Sequence, residues 1–263
     1  MTENHAPLHM DRRGAVGWLV FNRPHKRNAI TYEMWRQIPH MVAELDADPE
    51  VRIIALRGAG SEAFSAGADI GEFAEVRAGA DAGRHYDAAN DAAFRAVAMA
   101  KKPTLAMISG HCLGGGLALA INCDLRIAAE NASFAIPAAR LGVGYAPQWV
   151  GTLVAIAGAG HAKEILFTAR TYHARQALEL GLVHHAVPDS DLEAVTEGVI
   201  GAISANAPLT IRAVKAAIDA YAVGHPDNLA ALQDLAEICY DSEDFAEGRA
   251  AFMEKRKPQF EGK

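Results

Sequence analysis

The sequence predicts an α/β fold, because short apolar strands alternate with longer helical segments and glycine-rich turns follow two of the strands. A strand followed by a helix and a second strand implies a right-handed crossover, and this unit occurs twice in succession. Thr31 is positioned to cap the first helix, and Pro103 separates the second helix from the strand after it. The elements expected here are the strand Gly17–Phe21, the helix from Tyr32 to about Ala47, the strand Ile53–Arg57, the helix from about Asp81 to Ala100 and the strand Thr104–Ser109.

In the remaining sequence, the predicted elements change at about residue 190 from a mixture of strands and helices to helices alone. Up to residue 190 we expect strands at Asp124–Ala128, Ala132–Phe134 and Val183–Val187, a turn at Pro137–Arg140, a helix starting near Gln148, and helical segments at Lys163–Thr168 and Ala174–Leu180. After residue 190 the expected elements are the helices Leu192–Asn206, Pro208–Tyr221, Leu229–Tyr240 and Asp244–Lys257. We therefore predict a core over residues 1–190 and a helical region over residues 191–263. Apolar faces in that region must pack on the core or on another subunit.

Composition excludes several classes of protein. Of the 263 residues, 51% are hydrophobic and 22% charged, which predicts a large folded core. The net charge of -7 argues against a nucleic-acid binder. Three scattered cysteines fit neither a zinc site nor a disulfide framework, and are expected to be small buried side chains in a reducing cytoplasm. The polar opening is unlike a signal peptide and no apolar run reaches about 18 residues, so we expect no membrane span.

The stretch from Thr104 to Ala129 carries the first chemical signal. Its strand is followed by three glycines, Gly114, Gly115 and Gly116, and then by the short apolar helix Leu117–Ile121. The first turn of a helix has free N–H groups and a partial positive charge, which suit an oxyanion or a phosphate. Taken alone, this pattern is more typical of a tight structural turn, because glycine clusters are common.

A second turn of small residues, Phe64–Ile70, follows the strand Ile53–Arg57 and reads FSAGADI. Two such turns, each after a buried strand, would direct two backbone N–H groups at one oxygen. This is the arrangement that stabilises a thioester carbonyl as it becomes an enolate.

The two motifs together resemble those of the crotonase, or enoyl-CoA hydratase/isomerase, superfamily. The resemblance rests on FSAGADI and on GHCLGGGLALAINCDLRIAAENASFAIPAARLGVGY, and it extends from FNRPHKRNAIT to YDSEDFAEGRAAFMEKRKPQF, nearly the whole chain. It implies a crotonase (ClpP-like) fold of repeated ββα units in a spiral, with a C-terminal helical trimerisation region and a homotrimer or hexamer. It also implies an acyl-CoA thioester as substrate, with no separate cofactor and no metal.

The resemblance assigns the two oxyanion-hole N–H groups to Ala68 and Gly115. Hydratases of the family carry one glutamate two residues after the glycine triplet and another directly after the proline of the next loop. This chain has Ala118 and Ala138 at those positions. Hydration needs a carboxylate to deprotonate water and an acid to protonate the α-carbon, and alanine can do neither. We therefore expect weak hydratase activity.

Other polar residues offer alternatives. LGVGY and KEILFTA resemble the methylmalonyl-CoA decarboxylase branch, which has a tyrosine at the position of Tyr145 but a histidine where this chain has Ala68. The sequence leaves Tyr145 open as a catalytic group or as a packed aromatic whose hydroxyl bonds the backbone. It leaves Arg140 open as a partner of a substrate carboxylate or of a surface acid. The functions open besides hydration are decarboxylation, isomerisation and acyl-CoA binding without catalysis.

The remaining contacts with the thioester are also implied by resemblance. Lys26 and Arg27 lie in the loop expected beside coenzyme A, where they would meet phosphates or form a solvated turn. Phe252 and Lys255 would close over the adenine, from a neighbouring helix or from another subunit. The set of expected substrate contacts is completed by Ala66, Ala68, Asp69, Ile70, Gly114, Gly115, Ala118 and Ala138. A catalytic role is not expected for Asp69 or Asp124.

Overall fold

Two β-sheets form the framework of the computed structural model, which describes residues 6–222, 224 and 228–263. The larger sheet has the order β1-β2-β3-β5-β7-β10 and the smaller one has the order β4-β6-β8-β9. The strands are β1 (Leu8–Arg13), β2 (Val16–Phe21), β3 (Ile53–Gly58), β4 (Ala63–Ser65), β5 (Thr104–Ile108), β6 (His111–Leu113), β7 (Leu125–Ala129), β8 (Ser133–Ala135), β9 (Tyr172–His173) and β10 (His185–Val187). Strands β2, β3, β5, β7 and β10 run parallel, and β1 pairs antiparallel with β2 at the edge.

The helices surround these sheets and continue to the end of the chain. They are α1 (Tyr32–Ala47), α2 (Phe73–Val76), α3 (Gly79–Ala98), α4 (Gly115–Ile121), α5 (Ala138–Leu141), α6 (Pro147–Thr168), α7 (Ala174–Glu179), α8 (Leu192–Ser204), α9 (Pro208–Ala222), α10 (Leu229–Ile238) and α11 (Glu243–Glu254). The predicted cap of α1 is confirmed, because Thr31 accepts a hydrogen bond from the N–H of Met34 at 3.2 Å. Ser242 caps α11 in the same way and accepts a hydrogen bond from the N–H of Phe245 at 3.0 Å.

A repeated unit relates the two sheets. Strands β3 and β4 precede α2 and α3, strands β5 and β6 precede α4, and strands β7 and β8 precede α5 and α6. In each unit the first strand joins the larger sheet and the second joins the smaller one. This is the repeated ββα arrangement that the resemblance implied. The central strands β2, β3, β5 and β7 of the larger sheet are mostly buried on both faces, which explains why they appear in the sequence as largely continuous apolar runs.

Several elements differ from the sequence prediction. The strands β1, β4, β6 and β9 were not expected, because β1 carries charged residues and the others have only two or three residues. The predicted turn at Pro137–Arg140 contains the single-turn helix α5, and α4 begins within the glycine triplet at Gly115. Cys112 and Cys123 are buried as expected, whereas Cys239 is only half-buried.

Helix α6 has the length and composition of a membrane span, which no other helix of the described residues has. Its backbone is broken at Gly158, where φ is 75° and ψ is 161°. Each of its two halves is therefore shorter than the roughly 20 residues that a membrane crossing requires. The expectation of no membrane span stays a prediction.

The carboxyl-terminal region contains helices alone within its described residues, as predicted. Leu192 and Ile200 of α8 pack against the larger sheet in a core with Trp18 and Leu105. The following helices expose large apolar side chains, of which Phe252 on α11 is 83% exposed. The division at residue 190 and the assembly of subunits remain predictions.

Candidate active site

The two small-residue turns meet at one end of the smaller sheet. Strands β4 and β6 are parallel neighbours, so the turns after Ser65 and after Leu113 leave from the same edge. A methyl group at Gly67 would lie 3.1 Å from the backbone nitrogen of Gly115. A methyl group at Gly115 would lie 3.7 Å from the backbone nitrogen of Ala68. The two backbones are therefore in contact, as the sequence predicted.

The N–H groups of Ala68 and Gly115 have no internal acceptor. Among the hydrogen bonds between described residues, neither group is a donor. Gly115 is the first residue of α4, so no helical carbonyl lies in position to accept from it. Two neighbouring donors with no protein partner can both serve one bound oxygen.

Glycine is required at two positions of the second turn. Gly114 has φ 51° and ψ −120°, a conformation that residues with a Cβ rarely adopt. A methyl group at Gly116 would lie 2.8 Å from both the Cβ and the carbonyl oxygen of Ser65. The absence of a side chain at Gly116 therefore permits α4 to pack against the first turn.

Asn28 anchors the first turn to the amino-terminal loop. Its buried Nδ2 donates to the carbonyl oxygens of Ala63 at 2.7 Å and Ala59 at 3.0 Å. The carbonyl of Asn28 accepts from the hydroxyl of Ser65 at 2.8 Å, and Ser65 in turn accepts from the N–H of Gly67 at 3.1 Å. This network fixes the chain just before Ala68. Sequence reasoning missed Asn28, although it lies in the FNRPHKRNAIT motif.

Both aspartates make contacts within the protein. Asp69 pairs with Arg23 at 2.9 Å and accepts from the N–H of Gly71 at 3.1 Å. Burial alone would raise the pKa of Asp69, but the hydrogen bonds from Arg23 and Gly71 hold that pKa below its ordinary value. Asp124 accepts from the N–H of Thr104 at 2.7 Å and pairs with Lys215.

A cavity of about 100 Å³ lies beside the two turns and is called the inner cavity below. It continues into a wider depression of about 530 Å³ through the shared residues Phe73, Arg77 and Tyr145. Eight of the predicted site residues line the inner cavity: Ala66, Ala68, Ile70, Gly114, Gly115, Ala118, Ala138 and Tyr145.

The other predicted site residues do not line the inner cavity. Asp69 lies beside it in the ion pair with Arg23. Arg140 is exposed and has no ion pair among the described residues, so a surface acid is not its partner here. Lys26 and Arg27 are exposed on the loop whose Arg27 carbonyl accepts from the N–H of Ala66 at 2.9 Å.

Phe252 lies on α11, and Lys255 is the residue that follows this helix. Neither residue lines this chain's inner cavity. Phe252 borders a different groove, together with Tyr240 and Phe245. A role in closing this chain's own site is therefore not supported, and closure of another subunit's site stays a prediction.

Both alanines at the expected glutamate positions lie in the wall of the inner cavity. Ala118 is 2% exposed, and Ala138 is half-buried. None of the described residues that line this cavity has a carboxylate. Among the described residues that line the wider depression, Asp87 has the only carboxylate, and it pairs with Arg77.

Tyr145 has a buried hydroxyl without a hydrogen-bond partner among the described residues. The interpretation that this hydroxyl bonds the backbone is therefore wrong. Its ring packs edge-on against Trp149, with 5.5 Å between the ring centroids. Burial raises the pKa of Tyr145 well above its ordinary value, so the hydroxyl stays protonated at neutral pH.

Sequence reasoning missed the polar side chains that α3 and α6 contribute. Tyr86, Asn90 and Phe94 follow one another at four-residue intervals on α3, and all three line the inner cavity. Tyr86 accepts a hydrogen bond from Nε1 of Trp35 at 3.1 Å, and burial raises the pKa of Tyr86 to about 12. The helical spacing of these residues was a signal available in the sequence.

The fold and the paired turns together define a protein of the crotonase type. A sequence profile described as enoyl-CoA hydratase/isomerase matches residues 11–263, and the chain belongs to that family. A short-chain-enoyl-CoA hydratase from Clostridium acetobutylicum is 34% identical over 251 residues, covering 94% of this chain and 95% of that protein. A methylmalonyl-CoA decarboxylase from Escherichia coli K12 has the same identity and coverage. The crystal structure of an enoyl-CoA hydratase/carnitine racemase from Magnetospirillum magneticum has a TM-score of 0.94 and 35% identity, covering 99% of this chain and 97% of that one.

Proposed function

We propose that this acyl-CoA enzyme binds a coenzyme A thioester and stabilises its enolate with the N–H groups of Ala68 and Gly115. The observation that carries the proposal is the meeting of two donors without internal partners at one cavity. Negative charge develops on the thioester oxygen when the α-carbon becomes nucleophilic. Two fixed donors stabilise that charge more than they stabilise the neutral carbonyl.

Hydration is not the reaction that this cavity supports best. Adding water across an enoyl double bond requires a base for the water and an acid for the α-carbon. The methyl groups of Ala118 and Ala138 lie where carboxylates would be needed. We therefore propose that enolate stabilisation is retained while rapid hydration is not.

The second candidate reaction is decarboxylation of a carboxyacyl thioester, which the free hydroxyl of Tyr145 favours. In that reaction the bond between the α-carbon and the carboxylate breaks, its electron pair forms the enolate, and carbon dioxide leaves. The enolate then needs a proton. A hydroxyl with a raised pKa is protonated and available to orient or donate one. If the reaction is isomerisation, the two glutamates are also absent, and the hydroxyl of Tyr145 would be needed there as well.

Binding of coenzyme A would use the loop beside the first turn and a second subunit. Exposed Lys26 and Arg27 adjoin the turn at Ala66 and carry the charge that phosphates require. The exposed Phe252 and its neighbours on α9, α10 and α11 form an apolar surface that a trimer would cover. In such an assembly Phe252 and Lys255 would close the site of a neighbouring chain.

Calorimetry and product analysis test these proposals. Acetyl-CoA, crotonyl-CoA and free coenzyme A should bind, and the absence of binding at millimolar ligand would refute the assignment. A panel of enoyl, malonyl-type and saturated thioesters should give a product from at least one member by mass analysis. Tight binding with no product from any member would instead support a binding protein without catalysis.

A further inference from the structure

The chain just before α1 fixes the first of the two small-residue turns through its backbone. The N–H of Ile30 donates to the carbonyl of Gly67 at 2.8 Å, and the carbonyl of Ile30 accepts from the N–H of Asp69 at 2.9 Å. Ala68 is the residue between these two hydrogen bonds, and its backbone lies beside that of Ile30 in an isolated parallel bridge. The position of the first proposed donor is therefore set by the segment that leads into α1.

Trp35, in the first turn of α1, supports the second small-residue turn through its side chain. Its indole ring is fully buried and lies against Gly115 on the side where a Cβ would be. A methyl group there would lie 3.0 Å from Cζ2 and 3.3 Å from Cη2 of Trp35, and 3.7 Å from the nitrogen of Ala68. The indole therefore backs Gly115 at the place where the second turn approaches the first.

Tyr86 on α3 fixes the orientation of that indole. Nε1 of Trp35 donates to the hydroxyl of Tyr86 at 3.1 Å, and Tyr86 is only 1% exposed. The ring of Tyr86 stacks on Tyr32 and packs edge-on against Phe73, with 5.7 Å between the centroids in each pair. The ring of Trp35 packs edge-on against Phe94 at 5.6 Å. Rotation of the indole would break these contacts and leave its buried N–H without an acceptor, which is unfavourable.

We propose that Trp35 is a positioning residue that sets the spacing between the N–H groups of Ala68 and Gly115. Tyr86 holds its indole in the orientation that this spacing requires. One short stretch of chain thus contacts the first turn through the backbone of Ile30 and the second turn through the ring of Trp35. Donors stabilise an oxyanion only at about 2.7–3.1 Å, so a small displacement of either turn weakens them. This proposal rests on the proposed enolate stabilisation and names the residues that align it.

The test uses bound acetoacetyl-CoA, because its enolate and keto forms differ in near-ultraviolet absorbance and their ratio reports enolate stabilisation directly. At neutral pH, Trp35→Phe should lower the enolate-to-keto ratio about tenfold, since a displaced donor loses part of the roughly 100-fold effect of one oxyanion donor. The affinity for acetyl-CoA, measured by calorimetry, should stay within about twofold, since the donors stabilise the neutral carbonyl less than the enolate.

Tyr86→Phe removes only the phenol oxygen and should lower the same ratio by a smaller factor. The double variant Trp35→Phe with Tyr86→Phe should match Trp35→Phe alone within about twofold, because Trp35→Phe already lacks the indole N–H that Tyr86 accepts. Trp18→Phe is the matched control, because Trp18 is a buried tryptophan in the separate core beneath α8 and does not line the inner cavity. This control should lower thermal stability and keep the enolate-to-keto ratio.

The outcomes separate this proposal from the proposed function. If the natural protein binds neither thioester, or binds acetoacetyl-CoA without enriching the enolate, the proposed function fails and this proposal fails with it. If the natural protein enriches the enolate and Trp35→Phe keeps that ratio, or if Trp18→Phe lowers it equally, the thioester assignment stands and the positioning role is refuted. If Tyr86→Phe alone keeps the ratio, the part assigned to Tyr86 is refuted. Thermal unfolding verifies that each variant is folded, and Tyr86→Phe provides the test if Trp35→Phe fails to fold.

Discussion

Gly115→Ala is the sharpest test of the two-donor site, because a single methyl group would enter it. The added carbon would lie 3.0 Å from Cζ2 of Trp35 and 3.7 Å from the nitrogen of Ala68. An oxyanion must approach that nitrogen to about 2.7–3.1 Å, so the methyl group competes with it for space. Trp35 is fully buried and bonded to Tyr86, which limits how far it can withdraw.

Two losses follow from this geometry. Removing one oxyanion donor costs about 100- to 1,000-fold in kcat, or about 3–4 kcal/mol of transition-state stabilisation. Crowding a packed side chain typically costs about 1–3 kcal/mol of folding free energy. A larger side chain at Gly115 should therefore lower stability as well as turnover, and Gly115→Val should destabilise the fold further.

The assay compares turnover of the best thioester from the panel with the urea unfolding free energy. Gly17→Ala supplies the control, because its methyl group would lie 2.6 Å from Cδ2 of Leu45, and Gly17 does not line the inner cavity. This control should lose stability and keep kcat. If Gly115→Ala also loses only stability while kcat is unchanged, the turn at Gly115 is structural and the two-donor argument fails.

Four further outcomes are expected. The double change Ala118→Glu with Ala138→Glu should raise crotonyl-CoA hydration by about 100-fold or more, measured as loss of the enoyl absorbance; rapid hydration by the natural protein would contradict this. The unfolding free energy should fall by about 2 kcal/mol between pH 10 and pH 12, because the pKa of Tyr86 is about 12 in the fold and 10.0 in the unfolded chain. Tyr86→Phe should flatten that decline, and an equally steep decline in the variant would assign it to other groups. Light scattering should give the mass of a trimer or hexamer of the 28.0 kDa chain. A monomer at every concentration would contradict this expectation. Affinity for acetyl-CoA should weaken with salt if Lys26 and Arg27 meet phosphates, and salt-independent binding would exclude them.

The sequence predicted the parts of the fold that have strong local patterns. The long helix Tyr32–Ala47 has a cap and a regular apolar face, and its predicted bounds are the observed ones. The strands β2, β3, β5, β7 and β10 of the larger sheet were each placed within about two residues, because most of them are apolar runs, whereas the charged edge strand β1 was not expected. The short strands β4 and β6 were missed, because a strand of three residues has no periodicity to detect and forms only when its neighbours are present.

The candidate site could be predicted only where its backbone conformation requires a recognisable sequence motif. Glycine turns are visible in a sequence, so the positions of Ala68 and Gly115 could be inferred. Asn90 and Trp149 lie 59 positions apart, and neither residue type predicts its neighbour. They come together only because α3 and α6 pack against the same turns, and that long-range packing is not encoded in any short segment. Arg140 shows the opposite error: it belongs to a recognisable motif, but it does not line the inner cavity.

The buried amide of Asn28 connects the first turn of the candidate site to the amino-terminal loop that carries Lys26 and Arg27. It is in the left-handed region at φ 55° and holds Ala59, Ala63 and the N–H of Arg23 in one network. Removing that amide would leave several buried carbonyls and N–H groups without partners at once. Any effort to graft a new coenzyme A-binding loop onto this scaffold must therefore keep Asn28, or the graft will also misalign the first oxyanion donor. In a screen of variants, damage at this remote position would mimic loss of a catalytic residue.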